Sequence, residues 1–274
     1  MAPEVTFWGT RGSIPTSGPE YAETGGNTAC VQISLPDHVI LLDAGTGIRL
    51  AGEALAHDRR PIILLLSHPH WDHIQGFPFF TPLYQAGRDL TIVAPDHPEW
   101  IDMLVGQVDG VRFPVAADFL QCDIHPSADL AEALRGTGVG GTTIATNHPG
   151  DGIGYRLEFG DDVLVYLTDN ELVPPEAGPT RFEEFGAFVQ GAHLLIHDAQ
   201  YIVDDLPDKA GWGHSTIRQV VRLAETAGVS RLALFHHDPA TTDAVLAERA
   251  ASWQSRLQEE MELLVARDGL SITL

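Results

Sequence analysis

Ser67-His68-Pro69-His70-Trp71-Asp72-His73 is the stretch that decides how this chain is read. It begins where Pro61–Ser67 ends, a continuous run of Pro-Ile-Ile-Leu-Leu-Leu-Ser typical of a strand buried on both faces. Three histidines and a carboxylate then fall within six positions. Imidazole and carboxylate together suit zinc and other borderline divalent ions. His68 and His70 stand two apart, so in an extended turn they point the same way and can grip one ion. Asp72 and His73 lie beyond and can reach a second. A histidine-rich surface loop is the bland alternative. An aspartate set in that spacing directly after an apolar strand speaks against it.

Outward from this stretch the chain alternates short strands and helices. Val5–Trp8, Cys30–Leu35, Val39–Asp43 and Leu90–Ala94 read as strands, and Ile48–His57 has helical spacing. In the second half Thr142–Asn147, Gly154–Phe159, Val163–Thr168, Leu194–His197 and Arg231–Phe235 read as strands. Ser215–Ala227 reads as a helix ending at Gly228, and Asp243–Glu262 as a long amphipathic helix. Residues near 97–135 mix helix and loop. This pattern predicts an α/β chain, expected to be one domain over residues 1–274.

His-x-His-x-Asp-His resembles the signature of the metallo-β-lactamase superfamily. That resemblance implies a four-layer αβ/βα sandwich and a dinuclear centre of two divalent ions, zinc first and manganese as the other candidate. Other residues match the family's pattern. Asp43, in Leu42-Asp43-Ala44-Gly45, looks like the aspartate that supports the metal loop. His148 looks like the third ligand of the first ion, after His68 and His70. Asp169 looks like the bridging carboxylate. His236 looks like the last ligand of the second ion, beside Asp72 and His73, with His237 as the competing choice. Asp72 counts both as ligand and as catalytic residue. The other histidines read as surface or loop residues, and His197 as structural.

Superfamily membership does not fix the chemistry, because one scaffold hosts several reactions. His214, in Gly213-His214-Ser215-Thr216, and Asp198, in Ile196-His197-Asp198, resemble the branch with tRNA 3′-processing endonucleases and cyclic-phosphate phosphodiesterases. There the histidine assists at the leaving oxygen and an acid orients it. The acid is usually glutamate; here it is an aspartate, one methylene shorter. The resemblance therefore implies a phosphodiesterase in which a metal-bridged hydroxide attacks phosphorus. The loops Gly9–Pro15 and Gly25–Thr28 look like the opening of bacterial members of that branch. They read either as a phosphate cradle or as plain turns, with Arg11 as an ion-pair partner.

Composition narrows the substrate. Of 274 residues, 38 are Asp or Glu and 16 Lys or Arg, a net charge of −22, and Lys209 is the only lysine. Such acidity repels polyanions, although compositional bias would produce the same count. A small anionic phosphodiester such as a cyclic nucleotide is the expected substrate, and a long nucleic acid is not an expected partner. A lactonase-like or thioesterase-like hydrolase and an RNA-processing nuclease are the alternatives. No run of eighteen apolar residues suggests a membrane span. The N-terminus reads as a strand, and Cys30 and Cys122 as free thiols, so a cytoplasmic chain is expected. Relatives in the branch imply a homodimer, for which Trp100–Phe119 offers the apolar residues Met103, Leu104, Val105 and Phe113. Covering the protein's own core is their other use.

Overall fold

The computed structural model describes residues 2–257 and 261–274. Its strands are β1 (Glu4–Gly9), β2 (Cys30–Ser34), β3 (Val39–Leu42), β4 (Ile62–Leu65), β5 (Asp89–Val93), β6 (Asp123–Ser127), β7 (Gly140–Ala145), β8 (Ile153–Phe159), β9 (Asp162–Leu167), β10 (Leu194–Asp198), β11 (Arg231–Phe235), β12 (Glu262–Val265) and β13 (Ser271–Thr273). Its α-helices are α1 (Ile48–Ala54), α2 (Trp71–Ile74), α3 (Pro98–Val105), α4 (Leu130–Ala133), α5 (Phe182–Val189), α6 (Leu206–Lys209), α7 (Ile217–Thr226) and α8 (Asp243–Gln254).

The strands form two sheets. One is seven-stranded, in the order β13-β1-β2-β3-β4-β5-β6, and the other six-stranded, β12-β11-β10-β9-β8-β7. The second sheet shows why they stack. In β9, Leu164 and Tyr166 join the apolar cluster shared with the first sheet. Val163, Val165 and Leu167 face the other way, into a cluster with Phe185 of α5 and Val220 of α7. β10 and β11 alternate likewise: Leu194, Ile196, Ala233 and Phe235 point inward, and Leu195, Leu232 and Leu234 outward. A strand with two apolar faces must be covered twice, which gives the four-layer αβ/βα sandwich. α7 shows how a helix meets this demand. Thr216 and Gln219 form a reciprocal cap at its start, and Ile217, Val220, Val221, Leu223 and Ala224 are its buried residues.

Register then puts the strand ends together. β3 runs parallel to β4, and β9, β10 and β11 are parallel to one another. The antiparallel steps β7–β8 and β8–β9 return β7 to the direction of β9. The carboxyl ends of β7, β9, β10 and β11 therefore share one edge of their sheet, and β3 and β4 end together in theirs.

Several expectations need correction. The helix expected over Asp243–Glu262 ends at Gln254, residues 258–260 of it lie outside the described residues, and Glu262 opens β12. Of this helix only Asp243 and Leu246 are buried, so it lacks the broad apolar stripe expected of it. The helix expected over Ile48–His57 ends at Ala54. Residues 97–135 resolve into α3, α4 and the edge strand β6, besides short turns. Within the expected partner surface, Trp100, Ile101 and Leu104 are buried in the protein's own core, while Met103, Val111 and Phe119 are exposed. Cys30 and Cys122 are unpaired, as expected. No helix among the described residues is long and apolar enough to cross a membrane.

Candidate metal centre

The site grows from the ends of the strands. Asp43 follows β3, Ser67 and His68 follow β4, His148 follows β7, Asp169 follows β9, Asp198 closes β10 and His236 follows β11. Asp43, Asp169 and His236 all have positive φ, at 61°, 48° and 56°. Each of these strands thus ends in a sharp, left-handed turn that non-glycine residues rarely adopt, and such outliers cluster at functional sites.

Asp43 organises the metal-loop candidate. Its Oδ1 accepts from Ser67 N at 2.7 Å. Its Oδ2 accepts from Ser67 Oγ at 2.7 Å, from His73 Nδ1 at 2.8 Å and from the Tyr166 hydroxyl at 2.8 Å. Because Ser67 Oγ gives its hydrogen to Asp43, it accepts from His68 Nδ1 at 3.0 Å. One buried carboxylate therefore sets the ring orientation of both His68 and His73 and turns their Nε2 atoms the other way.

Those Nε2 atoms meet two interlocked groups. In the first, His68, His70, His148 and Asp169 each offer a donor atom, all within 4.8 Å of one another; in the second, Asp72, His73, Asp169 and His236 do so. Asp169 belongs to both. Its Oδ2 lies 3.6 Å from His68 Nε2 and 3.6 Å from His148 Nε2. Its Oδ1 lies 3.2 Å from His73 Nε2 and 3.1 Å from His236 Nε2. Asp72 Oδ2 is 3.1 Å from His236 Nε2 and also accepts from Ser13 N at 2.7 Å. Outer hydrogen bonds fix the rings of His148 and His236. His148 Nδ1 donates to the Gly213 carbonyl at 3.1 Å, and His236 Nδ1 to Gln200 Oε1 at 3.0 Å. Imidazoles held by one nitrogen so that the other is free as a lone pair are what metal ligation requires.

The donor set fits divalent ions. His68 Nε2 and His73 Nε2 are buried without a hydrogen-bond partner, a costly state unless a cation supplies the missing interaction. Burial pushes His68 well below its ordinary value, and burial takes His148 down to about 4, so both rings are neutral donors at pH 7. For His73 burial is outweighed by Asp72, Asp169 and Asp43, which raise it well above the ordinary range. This buried cluster of carboxylates calls for positive charge at its centre. Glycines make room around it. A Cβ on Gly12 would lie 2.4 Å from His236 Nδ1, and one on Gly213 2.0 Å from His148 Nδ1.

His214 and Asp198 meet beside this centre. His214 Nδ1 donates to Asp198 Oδ2 at 2.6 Å, and the His214 ring stacks on His236 with centroids 5.0 Å apart. Burial disfavours the charged ring, but the Asp198 charge and hydrogen bond prevail, with Asp169 and Asp72 behind them, and raise His214 to about 9. The shorter aspartate thus reaches its partner. Asp198 Oδ1 is held by Gln200 N at 2.9 Å.

Other candidates are placed elsewhere. His237 turns away from the cluster; its Nε2 donates to the Ala266 carbonyl at 2.8 Å, and burial lowers it to about 4. Arg11 is fully buried, donating to the carbonyls of Gly25, Asp238 and Thr241 and lying 3.6 Å from Asp243. It clamps the N-terminal turns and does not line a phosphate cradle. His197 is buried, with Nδ1 on its neighbour's carbonyl. Sequence reasoning missed Tyr166, Gln200, Asn170 and Glu171. All four are buried polar residues near strand ends, which was the available signal.

Comparison with known proteins agrees with this geometry. The family described as "Beta-lactamase superfamily domain" matches residues 38–237. A ribonuclease Z of Halorubrum lacusprofundi is 28% identical, over 86% of this chain and 86% of its own length. Among solved structures, the metallo-beta-lactamase fold protein YhfI from Bacillus subtilis superposes with a TM-score of 0.71 at 19% identity, covering 99% of this chain and 100% of that one. A diphosphatase from the PhnP family gives 0.68 at 18% identity, covering 99% and 98%. These two share the fold. With a family match that takes in every candidate ligand from His68 to His236, the chain belongs to the beta-lactamase superfamily.

Proposed function

We propose that this chain is a dinuclear metal-dependent phosphodiesterase that acts on a small phosphodiester, with cyclic nucleotides the first class to test. The observation that carries the reading is the three donor sets that share Asp169, the third of which brings the hydrogen-bonded Asp198–His214 pair against His236. In this reading His68, His70 and His148 hold one ion and Asp72, His73 and His236 the other, with Asp169 between them. Zinc is the ion the nitrogen-rich set favours, and manganese the alternative. Two such ions would supply an activated water and stabilise the oxygens of an in-line displacement.

The chain's own part is proton handling and placement. His214 Nδ1 is committed to Asp198, which leaves Nε2 to carry the proton for the departing alkoxide. As the P–O bond breaks, that proton passes to the leaving oxygen and His214 becomes neutral. A thioester makes less use of such an acid, because a thiolate departs unprotonated, and against a carbon ester the ribonuclease Z relative favours phosphodiester cleavage.

The surroundings favour a small substrate. Trp71, between His70 and Asp72, is 82% exposed, and Trp212, next to Gly213, is 59% exposed. A cavity of about 640 Å³ adjoins the metal loop, lined by Pro69, Trp71, Phe79, Met103, Arg112 and Phe113 among others. That volume lies within the usual range for small-molecule sites. The basic groups nearby are already engaged: Lys209 Nζ lies 3.1 Å from Asp238, and Arg112 Nε 2.8 Å from Asp109. The second reading, RNA 3′ processing, is favoured by the ribonuclease Z relative. Turnover of cyclic nucleotides and bis(p-nitrophenyl) phosphate, beside a precursor tRNA with a 3′ trailer, separates the two. Cleavage of the tRNA alone would overturn the small-substrate reading. A single-domain, cytoplasmic homodimer completes the proposal, with exposed Met103, Val111 and Phe119 as the contact; a monomer mass by light scattering would remove it.

A further inference from the structure

Glu171 has only 2% of its surface exposed, yet none of the ion pairs among the described residues involves it. Its carboxylate is spent on main-chain N–H groups. Gly211 N donates to both oxygens at 3.0 Å, and Gly213 N to Oε2 at 3.1 Å. Both glycines have positive φ, 85° and 86°. That left-handed backbone is what lets two N–H groups on either side of Trp212 converge on one anion. A buried carboxylate needs such partners, since leaving it unpaired costs far more than an ordinary lost hydrogen bond.

The loop gripped in this way has two tasks. The Gly213 carbonyl accepts from His148 Nδ1, and the next residue is His214, bound to Asp198. Glu171 also holds His148 from behind. Its main-chain N donates to the Asn147 carbonyl at 3.0 Å, and Asn147 Nδ2 donates to the Glu171 carbonyl at 3.0 Å. Next door, Asn170 Oδ1 accepts from Asn147 N at 3.0 Å, and the Asn170 carbonyl accepts from Ser215 Oγ at 2.6 Å. The two residues after Asp169 are thus tied to both neighbours of the proposed chemistry.

We infer that Glu171 is a positioning residue that keeps the ligand His148 and the proton donor His214 in register with each other through the loop Gly211–Gly213. This rests on the roles proposed above for those two histidines. It adds that one carboxylate, touching neither metal nor substrate, couples them.

The test compares Glu171→Ala and Glu171→Gln with the unaltered protein and with His148→Ala. Zinc affinity is measured by competition with a chelating dye. kcat and KM are measured on an alkyl phosphodiester and on bis(p-nitrophenyl) phosphate, and folding is checked by circular dichroism. Glu171→Ala is expected to weaken the ion that His148→Ala also weakens, by roughly 10–100-fold, the range for loss of an outer partner. The other ion should keep its affinity. kcat should fall more on the alkyl substrate than on the p-nitrophenyl one, with KM little changed. Glu171→Gln, which retains one carbonyl acceptor, should lie between. A folded Glu171→Ala with unaltered affinity for both ions, or with both weakened equally, overturns the inference. If the alanine variant does not fold, a glutamine variant matching wild type in both readouts does the same. Should wild type cleave neither substrate, the functional reading fails, while the zinc measurement still decides the role of Glu171.

Discussion

Asp198→Asn isolates what the acid does for His214. The amide is nearly isosteric, and its carbonyl can still accept from His214 Nδ1, so the ring stays in place while the charge goes. His214 stands at about 9 against burial, and Asp198 is the main cause of that rise. Without the charge, burial is opposed only by Asp169 and Asp72, and the ring moves down toward its ordinary value of about 6.5. At pH 8 the fraction of His214 carrying a proton then falls from about 0.9 to about 0.03, a loss of roughly 30-fold in acid form. At pH 6 the same change costs less than about a factor of 2. The sign follows from the role: a general acid works below its pKa, so lowering that value removes activity from the alkaline side. Ions bound at the cluster offset the pull of Asp169 and Asp72 and lower His214 in wild type and variant alike, so roughly 30-fold is an upper figure and the comparison is made with the same metal loaded. The assay is kcat against pH on an alkyl phosphodiester and on bis(p-nitrophenyl) phosphate, whose leaving group departs unprotonated. The alkyl profile of the variant should lose its alkaline side while the p-nitrophenyl profile stays nearly unchanged. Equal losses at pH 6 and pH 8, or on both substrates, would refute acid catalysis by His214 and leave substrate positioning as its task.

Elemental analysis of protein purified without chelator should approach about two metals per chain, and chelation should lower the melting temperature, because ions that bind only the folded state stabilise it. Gly12→Ala should displace His236 and Gly213→Ala should displace His148. Each variant should then retain about one ion, a different one in each case by chelator competition; loss of both ions in either would contradict the assignment of ligands to separate ions. Burial raises Asp268 to about 6, against the opposing help of Asn27 and Arg11. A carboxyl raised in the folded state costs stability above that value and returns it as pH falls from about 6 toward the unfolded value near 4. Asp268→Asn should therefore raise stability at pH 8 by at most about 3 kcal/mol, with the gain fading by pH 4 in urea titrations; an equal effect at both pH values would exclude this cause.

The sequence made the buried half of the fold legible, and the reason is coverage. β4, β9, β10 and β11 have neighbours on both sides and apolar layers on their faces, so their composition alone marks them. β6, β12 and β13 are edge strands, partly exposed and short, and leave no such trace. β6 even carries Pro126, tolerable only where a ladder has an open side. β12 begins inside the helix expected over Asp243–Glu262, because Met261–Val265 continues an apolar pattern that a helix would also show. At the site, ligand candidates were legible because imidazole and carboxylate directly after apolar runs are rare. Glu171 was not, since a carboxylate that serves main-chain N–H groups needs no spacing to any other side chain. The choice between His236 and His237 needed the backbone turn at His236, φ 56°, which directs the two adjacent rings apart.

Setting the donors on strand ends separates two kinds of inheritance. The strands fix where His148, Asp169, Asp198 and His236 stand, and their register is locked by apolar layers on either side. Other segments, such as residues 109–119 with Val111 and Phe119 and residues 202–210, contain no buried residue and carry none of the core. A lineage can lengthen, shorten or recompose these loops without shifting a single strand partner, so new substrates become accessible while the chemistry is conserved. The reverse does not hold: an insertion of one residue within β9 or β11 would turn Asp169 or His236 out of the cluster and invert every apolar face behind it.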